Sequence, residues 1–270
     1  MAENDILYSV EDQMGIITFN RPEKMNSITR DMQLLLTDIV IETIKDTNVR
    51  VVILTGTGRA FCAGTDLSAL GGERSNDIRA IRAKKWEDAG LPPSPLPDGW
   101  SFTRIPKPVI AAINGAAVGM GAEWVAQCDF RIGSDKARIG WVFTQRGLTP
   151  DIGCGPYLLP FIVGMSNALE MMYSGEIINA EKAKEIGLLS KVVPPDQLMP
   201  EAKALAKKLM KGAPLAVKGV KELTYAALEW SVQRHRLETG TRFAAANLTE
   251  DCKEGIRSFR EKRPPVWTGK

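Results

Sequence analysis

The sequence predicts an α/β fold, and three features carry that prediction. Two compact apolar runs, residues 49–54 and Val109–Ile113, have the length and β-branched character of buried strands. Stretches of helical periodicity lie between and after them. Each run passes into a glycine-rich turn, TGTGRAFCAGTDL from Thr55 and NGAAVGMGAE from Asn114, and ligands of open α/β folds gather beyond the carboxyl ends of strands.

The elements follow in chain order. Residues 6–10 and 15–19 alternate as two strands around the polar turn 11–14, an opening hairpin. Asn20-Arg21-Pro22 ends the second strand. Met32, Leu35, Leu36, Ile39, Val40 and Thr43 then recur at helical spacing, with Thr29 or Ser27 as the N-cap. With the run 49–54, this reads as strand, helix and strand of one right-handed crossover in a parallel sheet. Residues 72–90 are charged and helical, and the proline-rich LPPSPLPDGW after them reads as an extended loop. After the second apolar run, Gly119 and Gly121 let the backbone take unusual dihedrals and approach a ligand closely. Residues 122–128 read as a helix whose N-terminus presents unpaired N–H groups, a geometry suited to an oxyanion, with Glu123 beside it. Beyond residue 180 the chain is mainly helical: 180–186, a short strand 188–193, then 196–211, 215–227, 231–247 and 250–262.

Composition excludes several classes. At 270 residues, 44% apolar and 25% charged, the chain buries a full core as one large domain or a domain with an appendage. The net charge of +3 is too small to argue for nucleic acid, but it is uneven. From Lys191 onward 16 basic and 9 acidic residues give +7, leaving the rest at −4. Such a tail either meets phosphates or forms a solvated helix face. The sequence has no run of about 18 apolar residues, and MAENDILYSV has neither a basic start nor an apolar segment, so a cytoplasmic protein with no membrane partner is expected. Cys62, Cys128, Cys154 and Cys252 have no paired spacing, which suggests buried thiols with neither a metal site nor a disulfide frame. The single histidine, His235, falls on a helix away from both glycine turns, so a histidine-based triad is not expected. Neither turn matches a phosphate loop or a dinucleotide fingerprint.

A set of segments occurs in order over nearly the whole chain: NRPEKMNSI, GRAFCAGTDL, IPKPVIAAINGAAVGMGAEWVAQCDF with ARIG, GLTPDIG, LPFIVG, ALEMMYSGEIINAEKAKEIGLLSKVVP and EGIRSFREKRPPVW. Together they resemble the crotonase superfamily, the enoyl-CoA hydratase and isomerase family. The resemblance implies a ββα spiral core with an acyl-CoA site over residues 1–195. It also implies a helical C-terminal region, 196–270, that packs on neighbouring subunits and gives a homotrimer or a dimer of trimers. Acyl-CoA is then the substrate, with no separate cofactor and no nucleic-acid or membrane partner. Residues 71–101 fit the family least well. They resemble the mobile wall of its acyl pocket, which Trp86, Trp100 and Phe102 either line or pack behind.

The resemblance also implies site residues. Crotonases stabilise an enolate at the thioester carbonyl with two backbone N–H donors, which by motif fall on Thr65 and Met120 where relatives commonly have alanine and glycine. Peptide donors survive such side-chain changes, although methionine reaches positive φ at greater cost than glycine. Proton chemistry needs two groups of unlike protonation. Glu123 matches the first family glutamate. The second lies in a motif like F-G-x-P-E, which here reads Ile139-Gly140-Trp141-Val142-Phe143, so Phe143 replaces it. GLTPDIG instead places Asp151 where dienoyl-CoA isomerases, and relatives that isomerise aromatic-derived acyl-CoAs, carry a catalytic aspartate. Glu123 with Asp151 therefore implies double-bond isomerisation. Hydration using Glu123 is the alternative, and Asp151 as a cap of a turn or of the helix after Gly153 is the plain structural reading. For the coenzyme, Lys24 and Met25 match positions near the nucleotide, and Ala63, Asp66 and Leu67 match those around adenine and pantetheine. Phe259 and Lys262 match residues reaching the CoA phosphates from a neighbouring subunit. A non-catalytic RNA-binding or assembly protein is the competing class, and the basic tail would support it.

Overall fold

The fold is given by a computed structural model that describes residues 5–66, 75–91, 99–150 and 152–270. Strands β1 (Ile6–Glu11) and β2 (Met14–Phe19) form the opening hairpin, with Asp12 and Gln13 at positive φ in the turn. Helix α1 (Arg30–Lys45) starts at Thr29, whose Oγ1 accepts from the Met32 N–H at 3.2 Å, so the cap is Thr29 rather than Ser27. Met32, Leu36, Ile39, Val40 and Thr43 form its buried stripe. The chain then enters β3 (Val51–Gly56), which pairs in parallel with β2, Ile17 opposite Leu54, as the crossover reading requires.

From here each stretch of the chain feeds two sheets in turn. After β3 comes β4 (Ala60–Cys62), and after α2 (Ser75–Asp88) β5 (Val109–Ile113) is followed by β6 (Ala116–Val118). Helix α3 (Met120–Gln127) leads to β7 (Phe130–Ser134) and β8 (Arg138–Gly140). The first sheet is ordered β1-β2-β3-β5-β7 and ends with β10 (Lys191–Val193). The second is ordered β4-β6-β8 and is closed by the antiparallel β9 (Ile178–Asn179). The corners between sheets leave no room for side chains. A Cβ on Gly115 would lie 2.0 Å from the Arg59 carbonyl oxygen, and one on Gly56 2.4 Å from that of Ala60. Asn114 stitches the corners, accepting from the Gly56 N–H at 3.2 Å and donating to the Ala60 carbonyl at 2.9 Å. The structure thus contains a strand-pair repeat that no sequence repeat announced.

Both faces of the first sheet are covered, which explains its continuous apolar runs. One face meets α1 and α3. Against the other, α7 (Leu198–Leu209) lays Leu198, Ala202 and Ala206 on Val51, Ile53, Ile110 and Ile132. Each fully buried Leu or Ile contributes about 1.5–3 kcal/mol relative to an exposed position. Helices α4 (Cys154–Val163), α5 (Met165–Ser174) and α6 (Ala180–Glu185) complete the core region. Beyond α7, α8 (Pro214–Ala226) docks through Lys221 and Tyr225, both 2.8 Å from the Asp129 carboxylate. Helix α9 (Val232–Asn247) has no buried residue, and α10 (Glu250–Glu261) ends the helical region. No helix among the described residues is long and apolar enough to cross a membrane.

Candidate active site

The two glycine turns meet at backbone contact. A Cβ on Gly121 would sit 2.1 Å from the Cys62 carbonyl oxygen, and one on Gly64 3.0 Å from that of Val118 and 3.6 Å from the Met120 nitrogen. Glycine is required at Gly64 and Gly119 also because their φ values are 102° and 57°. Met120 is the first residue of α3, so the positive φ falls on Gly119 and the methionine stands at its ordinary helical conformation.

The direction of the two amides follows from local pairing. Thr65 forms a parallel bridge with Ile28, in which the Ile28 N–H donates to Gly64 O at 2.8 Å and the Asp66 N–H to Ile28 O at 2.9 Å. Alternation along an extended segment turns the Thr65 N–H away from Ile28. Met120 opens its helix, so no carbonyl lies one turn back within α3 for its N–H. The Thr65 hydroxyl and the Met120 sulfur lie 4.0 Å apart, so the two residues are side by side.

Glu123 stands three residues into α3 from Met120 and is fully buried. Its Oε1 accepts from Trp141 Nε1 and from the Gly155 N–H, both at 2.7 Å, and its Oε2 from the Cys154 N–H at 2.8 Å. Cys154 and Gly155 are the first residues of α4, after Gly153 at φ 73°, so the carboxylate lies at a helix N-terminus, where free N–H groups and the helix dipole favour an anion. Three donors to one acidic group satisfy its ionised form and fix its orientation.

Phe143 is only partly buried and packs against the core. Asp151 and Leu67 lie outside the described residues. Asp66 accepts from Arg21 Nη1 at 3.3 Å, and Arg21 also donates to Ser27 O at 2.7 Å. Met25, at φ 51°, accepts through its carbonyl from the Ala63 N–H at 3.0 Å, which joins two of the predicted coenzyme positions. Lys24 is exposed on the short turn before Met25. Phe259 and Lys262 are exposed on the outer helix α10 and at its left-handed C-cap.

Trp86, Trp100 and Phe102 are buried core residues, and the Trp100 indole donates to Ile152 O at 2.6 Å, the packing alternative of the two foreseen. A small, partly open cavity of about 20 Å³ adjoins them, lined among others by Gln33 and Leu36 of α1, Arg82 of α2, Ser101, and Met120 and Trp124 of α3. Sequence reasoning missed Trp141 as a donor, the α4 amides and Arg82. The signal for Trp141 was its place two residues before Phe143 in the aligned motif.

Two other chemistries lose support here. Burial pushes the Cys62 thiol up to about 12, so this cysteine beside the turns stays a neutral thiol. His235 sits on α9 with its Nε2 3.2 Å from Leu223 O, away from both turns.

The family model described as enoyl-CoA hydratase/isomerase matches residues 10–270. A crotonyl-CoA hydratase from Syntrophomonas wolfei is 33% identical over 264 residues, covering 97% of each chain. A short-chain-enoyl-CoA hydratase from Clostridium acetobutylicum is 33% identical over 267 residues, again covering 97% of each. Among solved structures, an enoyl-CoA hydratase from Bacillus anthracis superposes with a TM-score of 0.86 at 32% identity, covering 98% of this chain and 100% of that one. With the spiral fold and two converging glycine turns already in place, these similarities make the chain a member of the enoyl-CoA hydratase/isomerase family, an enzyme of the crotonase superfamily.

Proposed function

We propose that the enzyme shifts a double bond along the acyl chain of an acyl-CoA thioester, through an enolate held by the N–H groups of Thr65 and Met120. The observation that carries this reading is the apposition of those two residues one helical turn from Glu123, with Phe143 standing where a second hydratase glutamate would be. In this reading one carboxylate removes a proton from the acyl chain and negative charge moves onto the thioester oxygen. The paired acid then returns a proton at another carbon, so atoms and charge balance without water. Loss of one aimed donor in such a hole costs about 2.7–4 kcal/mol of barrier.

Glu123 and Asp151 are the proposed pair. Lys24, Met25, Ala63, Asp66 and Leu67 are proposed to hold the coenzyme, with Phe259 and Lys262 reaching it from a neighbouring subunit. That assignment fits the join between Met25 and Ala63. Hydration is the second reading, favoured by relatives that are named hydratases. Incubation with enoyl-, dienoyl- and cyclic enoyl-CoAs in heavy water, followed by mass spectrometry, separates the two. Deuterium without added water is expected, and addition of a water mass would replace isomerisation by hydration. Asp151→Asn should lower turnover by about 100-fold or more while CoA affinity is kept. Full activity of that variant on every accepted thioester would remove Asp151 from the pair.

A further inference from the structure

We infer that Glu254 and Asp251 clasp residues 263–270 back onto α10 and so set the direction in which Lys262 is presented to a neighbour's coenzyme, which makes Glu254 a positioning residue for binding. The inference rests on the proposal that Lys262 reaches the CoA phosphates. The buried stripe of α10 consists of Asp251, Glu254 and Ser258, all polar, where a packed helix ordinarily lays down apolar side chains. Both acids are occupied by the chain that follows the helix. Glu254 accepts from Arg263 Nη1 and Nη2 at 2.6 and 3.0 Å and from the Val266 N–H at 2.9 Å, and it also receives Arg257 Nη2 at 2.6 Å. Asp251 accepts from the Thr268 N–H at 2.7 Å and the Gly269 N–H at 3.0 Å, and its own N–H donates to Lys270 O at 3.1 Å.

The bend between helix and fold-back falls on Lys262, at φ 54° in the left-handed region where a helix usually ends on glycine. A side chain held there costs on the order of 1–3 kcal/mol and persists only where its surroundings fix it. Here the N–H groups of Lys262 and Arg263 donate to Phe259 O at 3.3 Å and Ser258 O at 3.1 Å, and Arg263, the next residue, is locked on Glu254. The fold-back is tied to the core in turn. The Trp267 ring lies against Gly255 and its indole donates to Lys211 O at 2.9 Å, while Arg50, just before β3, donates to Met210 O at 3.0 Å and Gly212 O at 2.6 Å. Ion pairs of this kind add little stability compared with packed apolar residues, whereas their paired hydrogen bonds fix direction. Arg257 and Arg263 are both held by Glu254, and Lys262 is exposed, with no ion pair among the described residues.

The test compares each accepted acyl-CoA with the same acyl group on pantetheine, which lacks the nucleotide phosphates. Lys262→Ala should lower kcat/KM for the CoA ester by about 5-fold or more, through KM, and leave the pantetheine ester unchanged. Glu254→Gln should reproduce that split, and the double variant should do no more than Lys262→Ala alone, because the carboxylate acts through the lysine. A parental CoA-to-pantetheine ratio in Glu254→Gln beside a lowered one in Lys262→Ala overturns the inference and leaves the coenzyme contact standing. Equal losses on both esters, or additive losses in the double variant, overturn it as well, since they describe a general loss of structure. A parental ratio in Lys262→Ala removes the coenzyme contact and the inference with it, and leaves the proposed reaction standing. If no thioester is turned over, calorimetric affinities for CoA and pantetheine give the same ratios and decide in the same way. Should Glu254→Gln not fold, Asp251→Asn, which loosens the far end of the fold-back, decides by the same comparison.

Discussion

Glu123 is gripped by one indole and two peptide N–H groups, an arrangement that orients its carboxylate and at the same time closes the first turn of α4. Trp141→Phe removes one donor and little volume. Hydrogen bonds to charged groups are worth about 1.5–3 kcal/mol, so turnover in this variant should fall by about 10-fold or more with the melting temperature little changed. Steady-state kinetics beside a thermal melt checks this, and unaltered turnover would show that the indole has no part in holding the base proposed at Glu123. Glu123 was legible in the sequence because its motif resembles a known one. Its donors were not, since peptide groups have no side-chain signature and Trp141 sits 18 positions away. Arg82 was hidden for a related reason: in a charged, helical stretch nothing in the letters separates a buried arginine from solvated ones.

At the scale of elements, the long strands and α1 could be read because a β-branched run or a capped amphipathic stripe spans enough residues to show its period. The second sheet could not, because β4, β6 and β8 have only three residues each and no period appears over three. What the sequence did mark were the glycines that let these short strands turn and touch. Gly121→Ala would put a methyl 2.1 Å from the Cys62 carbonyl oxygen. Overpacking of this kind costs about 1–3 kcal/mol, and calorimetry should record a lowered melting temperature together with lost activity. An unchanged melt would contradict the close contact of the two turns.

A second prediction at this scale concerns Lys107, which ties the C-terminal end of α1 to the start of β5 by donating to Thr43 O and Asp46 O at 2.5 and 2.6 Å. Burial lowers this lysine from 10.5 to about 8. The unfolded chain therefore binds the proton more tightly than the folded one between these values, and the lysine's contribution to stability rises with pH across that window. Below about pH 8 the lysine is charged in both states and the full cost of burying the charge is present. The stability of the parent relative to Lys107→Met, followed by denaturant titration, should increase from pH 8 to 10.5. A flat difference would contradict the shift.

On the scale of the whole molecule, the helical tail leaves apolar side chains unpaired with the rest of the chain. Val232, Leu237, Phe243 and Leu248 on or beside α9 and Phe259 on α10 are all more than two-thirds exposed. Surfaces of this kind mark interaction sites. We expect a trimer-based homo-oligomer in which this tail meets a neighbour, and sedimentation at micromolar concentration checks it. A monomer that still binds CoA normally would contradict the assignment of Phe259 and Lys262 to a neighbour's site. The central claim is narrower than the assembly: the carboxylate of Glu123 moves a proton on an acyl-CoA whose enolate rests on the amides of Thr65 and Met120. Its most direct test is the rate at which the parent and Glu123→Gln transfer deuterium from heavy water into the acyl chain of an accepted thioester, with CoA affinity measured in parallel. The account predicts that exchange falls by about 100-fold or more while affinity is retained. Exchange at the parental rate in Glu123→Gln would contradict it.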